Sequence, residues 1–279
     1  MRNTSLDIRP ASGAVGAIVR GVDLSKPLED STYRELRSTL NEYGVIFFRD
    51  QTITPDQHLA LGRRFGEVIA NKVLGKVPDH PLIVEVRKEP DQTHNHGGAW
   101  HTDEGFAEAP PLGSILVARI LPPAGGDTMF ANMYRAYDTL SDGLKKTLEG
   151  LRAVHRISKR LRKEGEAEKA HRVVAESDDK WGIHPVVARH PETGRKVLWI
   201  TPMYTTNFEG WTEKESESLL DYLYRHATQP ENVYRFQWEE GSIAFWDNRG
   251  TIHYAVQDYD GSRRLMHRVS IKGAPFLPS

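Results

Sequence analysis

Three short stretches carry side chains able to hold a metal ion: His94-Asn95-His96, His101-Thr102-Asp103 and His190-Pro191-Glu192. On a strand, residues i and i+2 project to one face, so each pair could chelate. A chain with 12 histidines produces such triplets by chance, and none is decisive alone. His190-Pro-Glu-Thr-Gly194 places Pro and Gly at turn positions and reads as a solvated loop. His94 and His96 stand among polar residues and glycines and read as loop histidines. His101-Thr-Asp103 lies between Trp100 and Phe106, where an ionisable group is costly unless satisfied. A ligand pair and an ordinary satisfied polar pair both stay open there.

The carboxyl end adds charge. Trp246-Asp-Asn-Arg-Gly250 reads as a turn into Thr251-Ile-His-Tyr-Ala-Val256. Asp260-Gly261 is a two-residue hairpin signal before Arg263-Arg-Leu-Met-His-Arg-Val-Ser270. That hairpin would pair Gln257 with Arg264, Ala255 with Met266 and His253 with Arg268. Cross-strand partners share a face, so His253, Arg264 and Arg268 are expected on one side. Two guanidiniums beside an imidazole suit anion binding, because guanidinium matches a carboxylate or sulfonate with paired hydrogen bonds. An exposed ribbon with its arginines in water is the alternative.

The elements that must position these residues can be read coarsely. Ala14 to Val22 is β-prone. Asp30 and Ser31 can cap a helix carrying Tyr33, Leu36, Leu40 and Tyr43. Gly44 to Arg49 is a short apolar run typical of a buried strand. Thr54-Pro55 reads as N-cap and first-turn proline of a second helix through Leu61 and Phe65. Short β segments follow at Leu82–Val86, Ser114–Ile120, Thr128–Ala131, Val197–Ile200, Ser242–Trp246 and Ile252–Val256. Thr212 with Glu215 forms a capping box for a helix striped by Leu219, Leu220 and Leu223. The span from Arg156 to Trp181 is dense in charge and reads as a solvated helix or flap, with a lid over a site as the sharper alternative. No repeat or linker divides the chain, so a single domain over residues 1–279 is expected.

Composition narrows the function. The 279 residues balance 37 Lys+Arg against 38 Asp+Glu, for a formal net charge of -1, which disfavours nucleic-acid binding. Cys is 0, which removes disulfide scaffolds, thiolate zinc sites, iron–sulfur clusters and cysteine nucleophiles. The amino terminus lacks the apolar stretch of a signal peptide, and no run approaches about 18 apolar residues. A soluble, cytoplasmic protein is expected, without membrane or nucleic-acid partners.

Together the motifs resemble the iron(II)- and 2-oxoglutarate-dependent dioxygenases of the taurine/2,4-D dioxygenase (TauD/TfdA) family. The resemblance rests on Trp100-His-Thr-Asp103, Gly125-Gly-Asp-Thr128, Trp246-Asp-Asn-Arg249, the distal His253 and Arg264-Leu-Met-His-Arg268, in the family's order and spacing. Gly44-Val-Ile-Phe-Phe-Arg49 and Phe65-Gly-Glu67 extend it over nearly the whole chain. It implies an α+β, mainly β fold: a double-stranded β-helix (jelly-roll) core with flanking helices.

By the same resemblance His101, Asp103 and His253 are the two-histidine, one-carboxylate metal ligands. Three protein ligands on one face leave positions open for a chelating 2-oxo acid and dioxygen. Arg264 and Thr128 would bind 2-oxoglutarate, and Arg268 the acidic group of the primary substrate. Lys76 falls near another substrate-anion contact, with a solvated loop lysine as the alternative. The implied reaction couples oxidative decarboxylation of 2-oxoglutarate, to succinate and carbon dioxide, to hydroxylation of a C–H bond. Lys76 replaces a histidine of the taurine enzymes, and Asn95 to Ala99 is glycine-rich. The implied substrate is therefore a small organic anion other than taurine: a carboxylate, sulfonate or sulfate ester. A homo-oligomer, dimer or tetramer, is expected.

Two readings from other classes stand beside this one, the first a zinc hydrolase with the same three ligands. A zinc-dependent hydrolase would leave Arg264 and Thr128 without a role. A non-catalytic jelly-roll protein that binds small acids would keep its affinity when Asp103 is replaced.

Overall fold

The computed structural model describes residues 6–70, 75–157 and 180–278. The elements are β1 (Asp7–Pro10), β2 (Ala17–Arg20), α1 (Asp30–Tyr43), β3 (Val45–Phe48), α2 (Pro55–Phe65), β4 (Val68–Ile69), β5 (Lys76–Val77), β6 (His80–Lys88), β7 (Gly113–Ile120) and β8 (Thr128–Asn132). They continue as α3 (Met133–Asp138), α4 (Asp142–Leu148), β9 (Arg152–Arg156), β10 (Trp181–Pro185), β11 (Val187–Arg189), β12 (Lys196–Leu198) and β13 (Thr205–Phe208). The last are α5 (Glu213–Ala227), β14 (Val233–Phe236), β15 (Ile243–Asp247), β16 (Thr251–Ala255) and β17 (Arg264–Ile271). Helices α3 and α4 were not legible in the sequence.

One large sheet runs β1-β2-β3-β15-β7-β17-β6-β5, with β4 also on β17, and a smaller one runs β14-β8-β16. The mainly β architecture with flanking helices matches the double-stranded β-helix expectation. Each strand's alternation sorts side chains between two cores. Odd positions of β7, Ile115 and Val117, join Ile46, Phe48, Phe245 and Ile271 beneath Leu36 and Leu40 of α1 and Leu61 of α2. Even positions turn inward: Leu116, with Phe47, Trp246 and Met266, meets Phe130 of β8 and Phe236 of β14. Phe47 stacks on Phe236 at 4.2 Å between ring centroids. Each such fully buried apolar side chain contributes roughly 1.5–3 kcal/mol. The interior thus has an apolar floor, and its polar positions gather elsewhere along the same strands.

Local signals explain the helices. Thr54 Oγ1 accepts from Gln57 N at 3.2 Å while Gln57 Oε1 accepts from Thr54 N at 2.8 Å, a capping box worth about 1 kcal/mol. Thr212 and Glu215 do the same for α5. The α1 expectation needs correcting: its N-cap is Glu29, which makes no side-chain cap bond. Asp30 instead sits in the first turn, where a carboxylate favours the helix dipole.

The hairpin expectation is overturned. β16 pairs with β8, His253 lying opposite Phe130, and β17 is hydrogen-bonded on both sides, by β6 and β7. No edge is left for β16 and β17 to pair. Asp260-Gly261 does turn, with Gly261 at φ 71°, but that turn carries the chain from one sheet to the other. His253 faces Arg264 and Arg268 across the interior, not along a ribbon, and all three are buried.

The charged span falls largely outside the described residues, at 158–179. Its flanks are paired strands, with Trp181 opposite Arg156.

Candidate metal centre and anion pocket

The segment before β7 brings the first two ligands into the interior. His101 forms an isolated antiparallel bridge with His253. His101 N donates to His253 O at 3.0 Å and His253 N to His101 O at 2.7 Å. The ring centroids stand 4.1 Å apart. Ligand atoms of His101, Asp103 and His253 lie within 4.8 Å of one another, and among the described residues this cluster has three members. The family resemblance singled out His101 and His253 from ten other histidines, and the structure brings them together with Asp103.

Each ligand is oriented. His101 Nδ1 lies 2.7 Å from the Ala99 carbonyl oxygen. A carbonyl only accepts, so Nδ1 carries the hydrogen and Nε2 keeps a lone pair. A Cβ on Gly97 would come 3.0 Å from His101 Cε1, so glycine there leaves the ring its space. Burial, reinforced by His101, holds the His253 imidazole well below its ordinary pKa, which keeps it neutral and able to ligate. His253 Nδ1 is buried with no hydrogen-bond partner.

Asp103 takes 2.8 Å from Ser114 Oγ on one oxygen and 2.7 Å from Arg268 Nη1 on the other. Burial alone would raise this carboxyl; the Arg268 guanidinium, with the Ser114 hydrogen bond, outweighs it and holds it ionised, below the usual carboxylate range. The donor set of two neutral imidazoles and one carboxylate, all inward, fits a divalent ion with open positions.

Asn248 is the residue that sequence reasoning quoted without assigning. Its Oδ1 accepts from Trp246 Nε1 at 2.9 Å, from Thr102 Oγ1 at 3.2 Å and from Asp103 N at 3.2 Å. It ties the His-Thr-Asp loop to the end of β15. Beneath it, Asp247 Oδ2 meets His190 Nε2 at 3.1 Å and Arg249 Nη2 at 2.7 Å, and Arg249 reaches Glu192 at 2.6 Å. The solvated-loop reading of His190 is therefore wrong: the residue is fully buried. The turn signal was correct, but an ion network that closes over the turn leaves no local mark. His94 is exposed and His96 half-buried in a loop, as expected.

Arg264 and Thr128 line one end of the interior. Thr128 Oγ1 accepts from Trp238 Nε1 at 3.0 Å, and the Arg264 guanidinium lies 5.9 Å from the Trp238 ring centroid. Arg264 is 4% exposed, yet its Nε and Nη2 have no hydrogen-bond partner. Burial pulls its pKa below the ordinary value. Gly126 makes room: a Cβ there would stand 3.1 Å from Arg264 Cδ. Nearby Asp127 and Asp258 are both taken by Arg235, at 2.6 and 2.7 Å. A buried cation with idle donors fits an absent anion.

Arg268 keeps an unpartnered buried Nε while its Nη1 holds Asp103. Lys76 is exposed on β5. It lies opposite Val84, and Val84 opposite Arg268, in one row across the sheet.

Comparison with known proteins agrees with this geometry. The family profile "Taurine catabolism dioxygenase TauD, TfdA family" matches residues 7–270. An alpha-ketoglutarate-dependent sulfate ester dioxygenase of Pseudomonas putida is 35% identical over 274 residues, covering 96% of this chain and 90% of that protein. A crystal structure of a taurine dioxygenase from Burkholderia xenovorans superposes with TM-score 0.81 at 35% identity, covering 99% and 97% of the two chains. The crystal structure of AAD-2 with Mn(II) and N-oxalylglycine gives TM-score 0.84 at 29% identity, covering 98% and 100%. The chain belongs to the TauD/TfdA family. It is an oxidoreductase of the alpha-ketoglutarate-dependent dioxygenase class. No helix among the described residues is long and apolar enough to cross a membrane.

Proposed function

We propose that this chain acts as one domain that hydroxylates a C–H bond of a small organic anion carrying a sulfate, sulfonate or carboxylate group. 2-Oxoglutarate and dioxygen are consumed, and succinate and carbon dioxide are released. His101, Asp103 and His253 would hold ferrous iron. Bound iron supplies the activation of dioxygen that the protein's own groups cannot.

The observation that carries this reading is Arg264: a buried guanidinium with two idle nitrogens, in the same interior as three inward metal-ligating residues. Arg264 and Thr128 would hold the distal carboxylate of 2-oxoglutarate. A hydrolase using the same ligands gives that guanidinium nothing to do.

The protein's remaining work is positioning and exclusion of water. Arg268 presents Nε toward the primary substrate's anionic group while Nη1 keeps Asp103 oriented. Lys76, in the same row, offers a second positive charge from the edge. When the carbon attacked bears an ester oxygen, the hydroxylated product collapses to a carbonyl compound and releases the anion. The sulfate-ester specificity of the Pseudomonas putida relative favours alkyl sulfates as first candidates.

The test is a panel of alkyl sulfates, sulfonates and carboxylates with iron and 2-oxoglutarate in air, scored by succinate. One class should raise succinate well above the substrate-free level, with one substrate consumed per succinate. Product formed without oxygen uptake would overturn the proposal.

A further inference from the structure

Lys88 closes β6 and is 2% exposed. Full burial is rare for a lysine, and a buried ammonium needs hydrogen-bond acceptors or a counter-charge. The Lys88 ammonium has no hydrogen-bond partner. Its one described contact is the Tyr259 ring, 4.9 Å from Nζ to the centroid. A ring face attracts a cation but leaves its N–H donors unpaired. The neighbouring carboxylates are occupied: Asp127 and Asp258 by Arg235, and Glu89 by Arg87 and Arg263.

Register fixes where Lys88 belongs. It lies directly opposite Arg264, while Val84 lies opposite Arg268. Directly opposed residues share a face, and that face is the interior, since Val86 packs with Met266 in the inner core. Four residues along a strand span about 13 Å, so Lys88 serves the Arg264 end and not the Arg268 end. Two cations with idle donors, Lys88 and Arg264, therefore stand side by side.

We infer that Lys88 is a second cation of the co-substrate pocket. Its ammonium and the Arg264 guanidinium together seat the distal carboxylate of the 2-oxo acid. This rests on the assignment of Arg264 made above. It makes Lys88 a specificity determinant: the pocket selects 2-oxo acids ending in a carboxylate over those lacking one.

The test is calorimetric titration of the Mn(II)-loaded protein with N-oxalylglycine, which carries a distal carboxylate, and with oxalate, which does not. Lys88→Met keeps the stem and removes the charge. It should weaken N-oxalylglycine by about tenfold or more and leave oxalate within about twofold, a separation that mere structural damage would not give. Arg264→Met serves as the reference. If Arg264→Met weakens N-oxalylglycine and Lys88→Met does not, the role of Lys88 is refuted while that of Arg264 stands. If neither variant discriminates between the ligands, the co-substrate assignment itself fails. Equal loss of both ligands in Lys88→Met also refutes the inference. Should that variant not fold, a crystal structure of the wild-type Mn(II)–N-oxalylglycine complex decides: Lys88 Nζ bonded to the distal carboxylate supports the inference, and Nζ out of its reach overturns it.

Discussion

His101 and His253 exchange both of their backbone hydrogen bonds, at 3.0 and 2.7 Å, so the two imidazoles are set side by side before any ion arrives. A free loop would have to order itself around the metal. Here the bridge has already restricted both residues. Ala99 fixes one ring's tautomer, and Asn248 fixes the loop carrying Asp103.

That pairing predicts a rigid site whose metal-free form keeps its shape. Asn248→Ala removes two hydrogen bonds from the His-Thr-Asp loop and a third from Trp246 while leaving all three ligands. Its metal affinity should fall by about ten- to a hundredfold, as for other groups that orient ligands, with Mn(II) binding by calorimetry as the check. Unchanged affinity would remove Asn248 from this role.

Among the described residues Asp103 is the only carboxylate paired with Arg268, so its removal strands a buried guanidinium. In the metal-free protein Asp103→Ala should cost about 3–5 kcal/mol of stability, and Asp103→Ala with Arg268→Met should recover part of that loss. Urea unfolding measures both. A double variant no more stable than the single one would show that the pair does not carry the charge balance assigned to it.

Arg264→Ala should weaken 2-oxoglutarate by about a hundredfold, since a buried charged donor pair is lost, and leave metal binding nearly unaltered. Parallel titrations of metal and co-substrate separate the two effects; equal loss in both would deny Arg264 its place.

Arg268→Lys keeps a cation beside Asp103 but loses the planar fork. The KM of the primary substrate should rise by about tenfold, while slow 2-oxoglutarate consumption without substrate persists. Succinate assays with and without substrate check this, and an unaltered KM would take Arg268 out of the anion clamp.

Acid sensitivity follows from a residue outside the site. His58 is fully buried on the inner face of α2, its Nε2 donating to Ile115 O at 3.1 Å, and burial pushes its pKa from 6.5 down to about 3. The unfolded chain binds the extra proton first, so stability falls as pH drops below about 6.5 and keeps falling toward 3. One such group gives a slope of about 1.4 kcal/mol per pH unit. His267, pushed down to about 4 by burial, adds in the same direction. The urea midpoint at pH 5 should lie below that at pH 7.5, and His58→Gln should flatten the difference; an identical slope in that variant would argue against it.

Much of the site was legible because its chemistry sits in local strings. His101-Thr-Asp103 and Arg264 to Arg268 each declare residue types at strand spacing, and the family resemblance joined them to His253. The hairpin was misread because Asp260-Gly261 specifies a turn but not the partner of the strand leaving it. That partner is set by edges β6 and β7 offer from far away in the chain. His190 was misread for a similar reason: Pro and Gly mark the turn, while Asp247 and Arg249, which bury it, come from β15 and its turn. Lys88 gave no signal, since one lysine ending an apolar strand looks the same whether it faces water or Arg264.

The most direct test of the central claim is an anaerobic titration of the metal-free protein with ferrous iron and 2-oxoglutarate, followed by visible absorption. The account predicts a charge-transfer band that needs both components, saturates at one iron per chain and disappears in His253→Ala. A band that survives that substitution, or none in the wild type at saturating iron and 2-oxoglutarate, would contradict it.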